Sequence, residues 1–286
     1  VFDADNLVHL DFLAVMNTRL MKGQKVLQGY LSAKNPVDTW VSGTFAIAFW
    51  TVNHLWHLGK YNLGLSSCLG GTGMCISADI VREFGWGCDC LTEDMEFSMK
   101  CLSHGIRTCW VHDAIIYDEK PLTFMASWRQ RKRWAQGQFD CSERYIPILM
   151  KEGFKRHSIV VLDGIMQLLQ NYFLLISAFY LVMTYINMFY PCFTVVLYND
   201  ALVPRQFWSV LGTIQYVLPL IVLLQIEVPA KIYLYWLIYP VFMYSWVPVT
   251  FLGWIHRHEK QWVHTIHTRS MQFQAASLTR KKEIDS

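Results

Sequence analysis

Two patches of this 286-residue chain carry side chains whose kind and placement suit a chemical role. Asp3-Ala4-Asp5 sets two carboxylates one residue apart, where Val1-Phe2 reads as the end of a buried strand. Hard oxygen donors of this kind share a Mg²⁺ or Mn²⁺ ion and the phosphates bound to it. Gln130, Arg133 and Trp134 stand at i, i+3 and i+4 of a helical stretch and so project from one face. The guanidinium suits a phosphate, the indole suits the flat face of a sugar ring, and the amide can hold either. Each patch also has a plainer reading. A D-x-D is often a turn or a helix cap, and Arg129, Arg131, Lys132 and Arg133 also describe a basic amphipathic helix lying on a membrane.

Two further stretches could complete such a site. Thr92-Glu93-Asp94-Met95-Glu96 reads as a helix start, with Thr92 as cap and the acids at the positive end of a helix that runs to about His104 and stops at Gly105. That local account needs no chemistry from Asp94. Leu69 to Ser77 holds Gly70, Gly71 and Gly73, which allow a backbone to approach a ligand closely. The Gly-Lys-Ser/Thr ending of a P-loop is absent, and a tight turn without a ligand is the simpler account.

The elements that must position these patches follow from periodicity and punctuation. A helix begins near Asp11, with Phe12, Leu13, Met16 and Leu20 at helical spacing. Residues 24–31 read as a strand, Asn35-Pro36 as a turn, and Thr44 to Lys60 as a helix whose Phe45, Phe49, Trp50 and Trp56 suit a core or a membrane face better than a sugar platform. Ile106 to Tyr117 reads as a strand. Pro121 introduces the helix of Leu122 to Cys141, which Thr123 can cap.

Hydrophobic residues make up 53% of the chain and charged residues 16%, and the imbalance lies in the second half. A net charge of +3 is too small to suggest a nucleic-acid partner. The eight cysteines include no C-x-x-C pair and read as reduced, mostly buried thiols. Three apolar blocks, about Ile159 to Tyr198, Phe207 to Ile226 and Ile232 to Ile255, are each long enough to span, since roughly 20 apolar residues cross a bilayer. Tyr198, Trp208, Tyr233 and Trp254 suit interfacial anchors. Basic residues flank the first and third blocks, while the connectors hold only Arg205 and Lys231. Both flanks then face the cytoplasm, which requires an even number of crossings. Three blocks give an odd number, so the first holds two crossings or one block lies in the interface.

Taken in order, D-x-D at residues 3–5, the Gly70 to Gly73 loop, T-E-D at 92–94 and Q-x-x-R-W at 130–134, followed by apolar segments, resemble the membrane-embedded family 2 glycosyltransferases, the class that includes cellulose, hyaluronan and poly-N-acetylglucosamine synthases. The likeness covers nearly the whole chain, and the segment Lys260-Gln261-Trp262 to His267-Thr268-Arg269 also looks like the one that follows the membrane part in bacterial members. The resemblance implies an α/β fold: the C-terminal part of a GT-A nucleotide-diphospho-sugar transferase domain over residues 1–157, an α-helical transmembrane region over 158–256, and a basic cytoplasmic tail over 257–286. The strands that open such a domain have no counterpart here, so the expectation is a chain lacking its N-terminal nucleotide-binding part.

The resemblance further implies an inverting transfer from a UDP-sugar to a polysaccharide or lipid-linked acceptor, in a multi-pass protein of the cell membrane whose catalytic domain is cytoplasmic. Asp94 matches the general base, with Glu93 beside it. Gln130, Arg133 and Trp134 border the diphosphate and the acceptor sugar, and Gly71 and Gly73 lie against substrate. Asp3 and Asp5 hold Mg²⁺ or Mn²⁺, Asp5 being the preferred ligand. A non-processive lipid glycosyltransferase is one alternative, and a non-catalytic transporter or scaffold another.

Overall fold

The computed structural model describes residues 1–190 and 205–259. Tyr198, Cys192 and the basic tail from Lys260 lie outside that range. Four strands form one mixed sheet: β1 (Leu7–Val8), β2 (Val26–Ala33), β3 (Met74–Ile76) and β4 (Thr108–Asp118), in the spatial order β1-β4-β2-β3. Only the central pair, β2 and β4, is parallel, while β1 and β3 pair antiparallel at the edges. Such an arrangement buries the centre on both faces, and every residue of β2 is buried accordingly. The β2–β4 register runs from Val26↔Thr108 to Gly29↔Val111, then jumps to Tyr30↔Ile115, so that His112, Asp113 and Ala114 bulge out of the ladder.

One face of the sheet is closed by α1 (Phe12–Met21), whose Phe12 and Met16 pack on Leu27, Leu31, Val111 and Ile116. The other face is closed by α2 (Trp40–Thr51), which continues through a π-helical turn (Val52–His57) into α3 (Leu58–Asn62). Two of the aromatics expected in a core, Phe45 and Trp50, are buried there, while Trp56 is exposed. The helix starts four residues ahead of the expected Thr44. Thr39 Oγ1 accepts the Ser42 amide at 3.2 Å and Ser42 Oγ accepts the Thr39 amide at 3.1 Å, a reciprocal cap that sets the true start.

After α4 (Ala78–Phe84), α5 (Glu93–Ser103) drives Phe97 and Cys101 against Val26, Leu69, Met74 and Ile80. α6 (Phe124–Lys155) starts where expected, its cap Thr123 accepting the Ala126 amide. It does not end near Cys141 but runs 32 residues, through Gly137 and Pro147. It is no surface helix either. α6 is packed between α5 on one side and two apolar helices on the other, α7 (Ile159–Phe189) and α10 (Trp246–Ile255). Of its cationic run only Arg129 is exposed, and Arg131 is wholly buried.

The second apolar block forms α8 (Arg205–Gln225). The third is two helices, α9 (Lys231–Tyr244) and α10, meeting at Ser245. Lys60 ties the domain to α7 through a 2.7 Å ion pair with Asp163 and a 3.2 Å bond to Gln167. The seven described cysteines are all free thiols.

Two half-buried histidines make the sheet's α2-side face sensitive to acid. His57 stacks on Trp110 with centroids 4.6 Å apart and meets Ser67 Oγ through Nδ1 at 2.6 Å. His112 accepts Trp110 Nε1–H through Nδ1 and meets His54 edge to face. Burial pushes both rings down to about 4 from the ordinary 6.5, helped by Lys60 for His57 and by His54 for His112. The unfolded chain therefore binds more protons than the folded one between those values, and stability is lost as the pH falls through that window. Urea midpoints should drop on acidification from pH 6.5 to 4, and His112→Gln should flatten that slope.

Candidate active site

The cleft is built on the loop Gly70 to Gly73. Gly71 and Gly73 have φ of +79° and +63°, a backbone open chiefly to glycine, and they turn Thr72 inward. Gln28, buried on β2, fixes that turn. Its Oε1 accepts the Gly70 amide at 2.8 Å and its Nε2 donates to the Thr72 carbonyl at 2.9 Å. Thr72 Oγ1 in turn accepts the Asp3 amide at 3.1 Å and Asn6 Nδ2 at 2.6 Å. The D-x-D therefore lies in a turn at Ala4-Asp5 ahead of β1, not at the end of a strand formed by Val1-Phe2.

The T-E-D sits opposite. Thr92 was expected to cap α5 with its side chain, but it makes no such bond. Instead it packs on α6 at Gly137, where a Cβ would lie 2.7 Å from the Thr92 amide nitrogen and 2.6 Å from its Oγ1. Gly137 follows Arg133 by four residues and shares its face. This close approach brings Glu93 and Asp94 into the field of Arg133. Glu96, expected at the helix dipole, instead accepts the Asp89 and Cys90 amides at 2.7 and 2.8 Å and pins the preceding loop. Ser98 Oγ accepts the Leu69 amide and donates to the Asp94 carbonyl, which fastens α5 to the start of the glycine loop.

Asp94 is the perturbed group of this cleft. Its Oδ1 accepts the Met95 amide at 2.7 Å, and a Cβ on Gly71 would lie 3.4 Å from its Oδ2. Burial, followed by the neighbouring Glu93 carboxylate, pushes its pKa from 3.8 up to about 7, against the opposing pull of backbone amides and Arg133. Arg133 is lowered by its own burial and held up by Glu93, Asp94 and Asp3 in that order. Gly71 thus stands beside Asp94, and Asp3, Glu93 and Asp94 all lie within the electrostatic reach of Arg133.

Asp5 leans the other way. Lys34 Nζ donates to its carbonyl at 2.9 Å, stands 4.0 Å from its Oδ2, and pairs with Glu119 at 3.0 Å. Trp134 is turned toward Phe45 and Phe49, at centroid distances of 6.0 and 6.3 Å. Gln130 holds a buried Oε1 with no hydrogen-bond partner among the described residues.

The residues that sequence reasoning overlooked lie at the carboxyl ends of β2 and β4, where open parallel sheets bind ligands. Lys34, Asn35, Glu119 and Lys120 are all buried. Asn35 bridges the Lys120 amide and carbonyl at 2.8 Å each, and Lys120 Nζ pairs with Asp118 at 2.9 Å while lying 3.3 Å from the centre of the Phe49 ring. Three charges in a row closing a strand, Asp118-Glu119-Lys120, were the available signal.

Among the described residues, no group of three or more His, Cys, Asp or Glu side chains converges as a metal cage. Mg²⁺ is held by one or two carboxylates together with water and substrate phosphates, and the donor chemistry of Asp3 and Asp5 fits that mode.

An α/β sheet of this kind hosts many chemistries, and comparison with known proteins gives the class. The chain belongs to glycosyl transferase family group 2, whose family model matches residues 1–254. That family implies the GT-A fold, with a nucleotide-sugar donor and an acceptor. The chain is also similar to "Probable glycosyltransferase YdaM" of Bacillus subtilis (strain 168), 26% identical over 140 residues, which are 48% of this chain and 33% of that protein. The chain therefore matches about a third of the length of this curated relative.

Two outcomes follow from the geometry. A carboxyl whose pKa is raised on folding binds more protons folded than unfolded, so its contribution to stability falls as the pH rises from about 4 to about 7. Asp94→Asn should therefore raise the urea midpoint above pH 7 relative to wild type, and the gain should vanish near pH 4. Gly137→Ala should cost about 1–3 kcal/mol by overpacking against Thr92, measured by urea unfolding.

Proposed function

We propose that this chain works as an inverting, divalent-cation-assisted glycosyltransferase, which moves a sugar from a UDP-sugar to a growing β-linked polysaccharide at the cytoplasmic face of a membrane. The observation that carries the reading is Asp94. Its carboxyl is held near neutral pH at about 7, against the glycine loop and in the field of Arg133. An acceptor hydroxyl is a poor nucleophile, and a base whose pKa lies near the operating pH takes its proton most effectively.

In this mechanism Asp94 removes the proton of the acceptor hydroxyl as that oxygen attacks the anomeric carbon from the face opposite the diphosphate. The bond to the diphosphate oxygen breaks with the electron pair leaving on that oxygen, and an α-linked donor yields a β-linked product. Arg133 faces the developing negative charge, and its half-buried setting strengthens that attraction. Asp3 and Asp5 would hold a divalent ion, whose charge would add to that of Arg133 in offsetting the negative charge of the diphosphate. Trp134, backed by Phe45 and Phe49, offers a ring edge or face to the acceptor sugar and keeps it in line.

The membrane setting is supported by two segments, Ile159–Ile186 and Lys231–Ile255, that are long and apolar enough to cross a bilayer. Only 28% of an 18-residue apolar window in each is buried against the rest of the chain, where a core helix of a soluble protein would be mostly covered.

The test is to incubate the intact membrane-bound protein with labelled UDP-sugars and Mn²⁺. A labelled polymer is expected, while short glycolipid as the sole product would overturn the polymerase reading. The kcat/KM profile should fall below about pH 7 with the protonation of Asp94, and Asp94→Asn should remove at least ~100-fold of the rate, as loss of a general base does. Unchanged transfer in that variant would leave Asp94 with a structural role alone. Trp134→Ala should raise the acceptor KM more than the donor KM.

A further inference from the structure

We propose that Thr72 is a positioning residue of the transfer site: its hydroxyl is the anchor that holds the D-x-D loop in place. The proposal rests on the functional reading above and concerns the same cleft. Thr72 lies between two glycines of positive φ, and its side chain is 3% exposed. Its main chain is immobilised from beneath, since Gln28 grips the Gly70 amide and the Thr72 carbonyl from the central strand β2. A hydroxyl fixed in this way is a rigid acceptor. Two donors from the D-x-D turn converge on it, the Asp3 amide at 3.1 Å and Asn6 Nδ2 at 2.6 Å.

These two bonds bracket the turn that carries both carboxylates. Asn6 also donates its amide to the Asp3 carbonyl at 3.1 Å, which closes the turn on itself. On the far side the Asp5 carbonyl is held by Lys34. The segment from Asp3 to Asn6 has no regular ladder of its own, so side-chain anchors decide where its carboxylates point. Through Gln28 the anchor traces back to the sheet. Through Gly71, adjacent in sequence, it is coupled to the position of Asp94. One buried side chain thus registers the metal-binding turn against the base.

Removing the hydroxyl while keeping the shape would strand two donors beside buried surface. In the intact protein, Thr72→Val should accelerate amide exchange across residues 3–6 at least tenfold. It should also lower kcat/KM at least tenfold, mainly through a higher donor KM and a higher Mn²⁺ requirement. Thr72→Ser, which keeps the oxygen, should stay within about threefold of wild type in both readouts (a limit well inside the tenfold step of about 1.4 kcal/mol). Asn6→Ala, which removes one of the two donors, should shift both readouts in the same direction by less and serves as the second variant if Thr72→Val does not fold.

The proposal is overturned if Thr72→Val leaves exchange and kinetics at wild-type values, or if Thr72→Ser is as impaired as Thr72→Val. Where Asn6→Ala decides, wild-type exchange in that variant overturns it. A wild-type protein that transfers no sugar sinks the functional reading instead, and the exchange rates alone then decide whether Thr72 holds the turn.

Discussion

The cleft depends on how closely the start of α5 can approach α6. At Gly137 there is room for a hydrogen atom and nothing larger, because the Thr92 backbone occupies the space a side chain would need. Through that contact Glu93 and Asp94 stand in the field of Arg133, one turn earlier on the same helix face. Asp3 contributes to the same field. The Thr92–Gly137 contact places Glu93 and Asp94 and a hydrogen bond to Thr72 places Asp3, and burial combined with the Glu93 charge is what lifts Asp94 toward neutrality. Well-packed interiors resist continuous deformation, so the Asp94–Arg133 relation is set by the helix–helix contact and is not freely adjustable.

Much of this was legible in the residues, and the parts that were not share a cause. Elements with strong local signals appear nearly where periodicity puts them: α1 from Phe12, α5 to Ser103, and the central strands within two residues of their expected starts. The spacing of Gln130, Arg133 and Trp134 correctly implied one helix. It did not imply that the helix would be buried on two sides, because the cationic run around it reads as a solvated face. Arg131 shows why: its Nη1 donates to Ser245 Oγ at 2.8 Å, and its guanidinium lies 4.5 Å from the Phe242 ring. Those partners are more than a hundred residues away, and no local pattern announces them. Likewise the capping motif at Thr39 is short-range and readable, whereas the role of Gly137 exists only once Thr92 is beside it.

The buried cations follow the same logic. Lys34 and Lys120 look in sequence like ordinary solvent-facing lysines near a turn. The parallel pairing of β2 and β4 brings their backbones side by side, and Asn35, Asp118 and Glu119 then supply the partners that make burial tolerable. Burial still lowers Lys120 below its usual pKa, with Asp118 opposing. Such a network is destabilised if either partner is lost, which makes the carboxyl edge of the sheet stiff next to Asp5 and Phe49.

That stiffness bears on how the apolar helices and the cleft communicate. α10 meets α6 at Gly253, where a Cβ would lie 2.5 Å from Ala135 Cβ, directly behind Arg133 and Trp134. Gln136 donates to the His256 carbonyl and Arg131 holds Ser245, so both ends of α10 are fastened to the helix that bears the Q-x-x-R-W. Phe242, on the preceding helix, touches the Phe45 that backs Trp134. The side chains assigned to the acceptor are therefore gripped between a rigid sheet edge and the apolar helices. A rotation of those helices would press on α6 itself, since Gly253 meets Ala135 with no room for a side chain between them, and the Q-x-x-R-W shares that single helix with the bonds to Ser245 and His256.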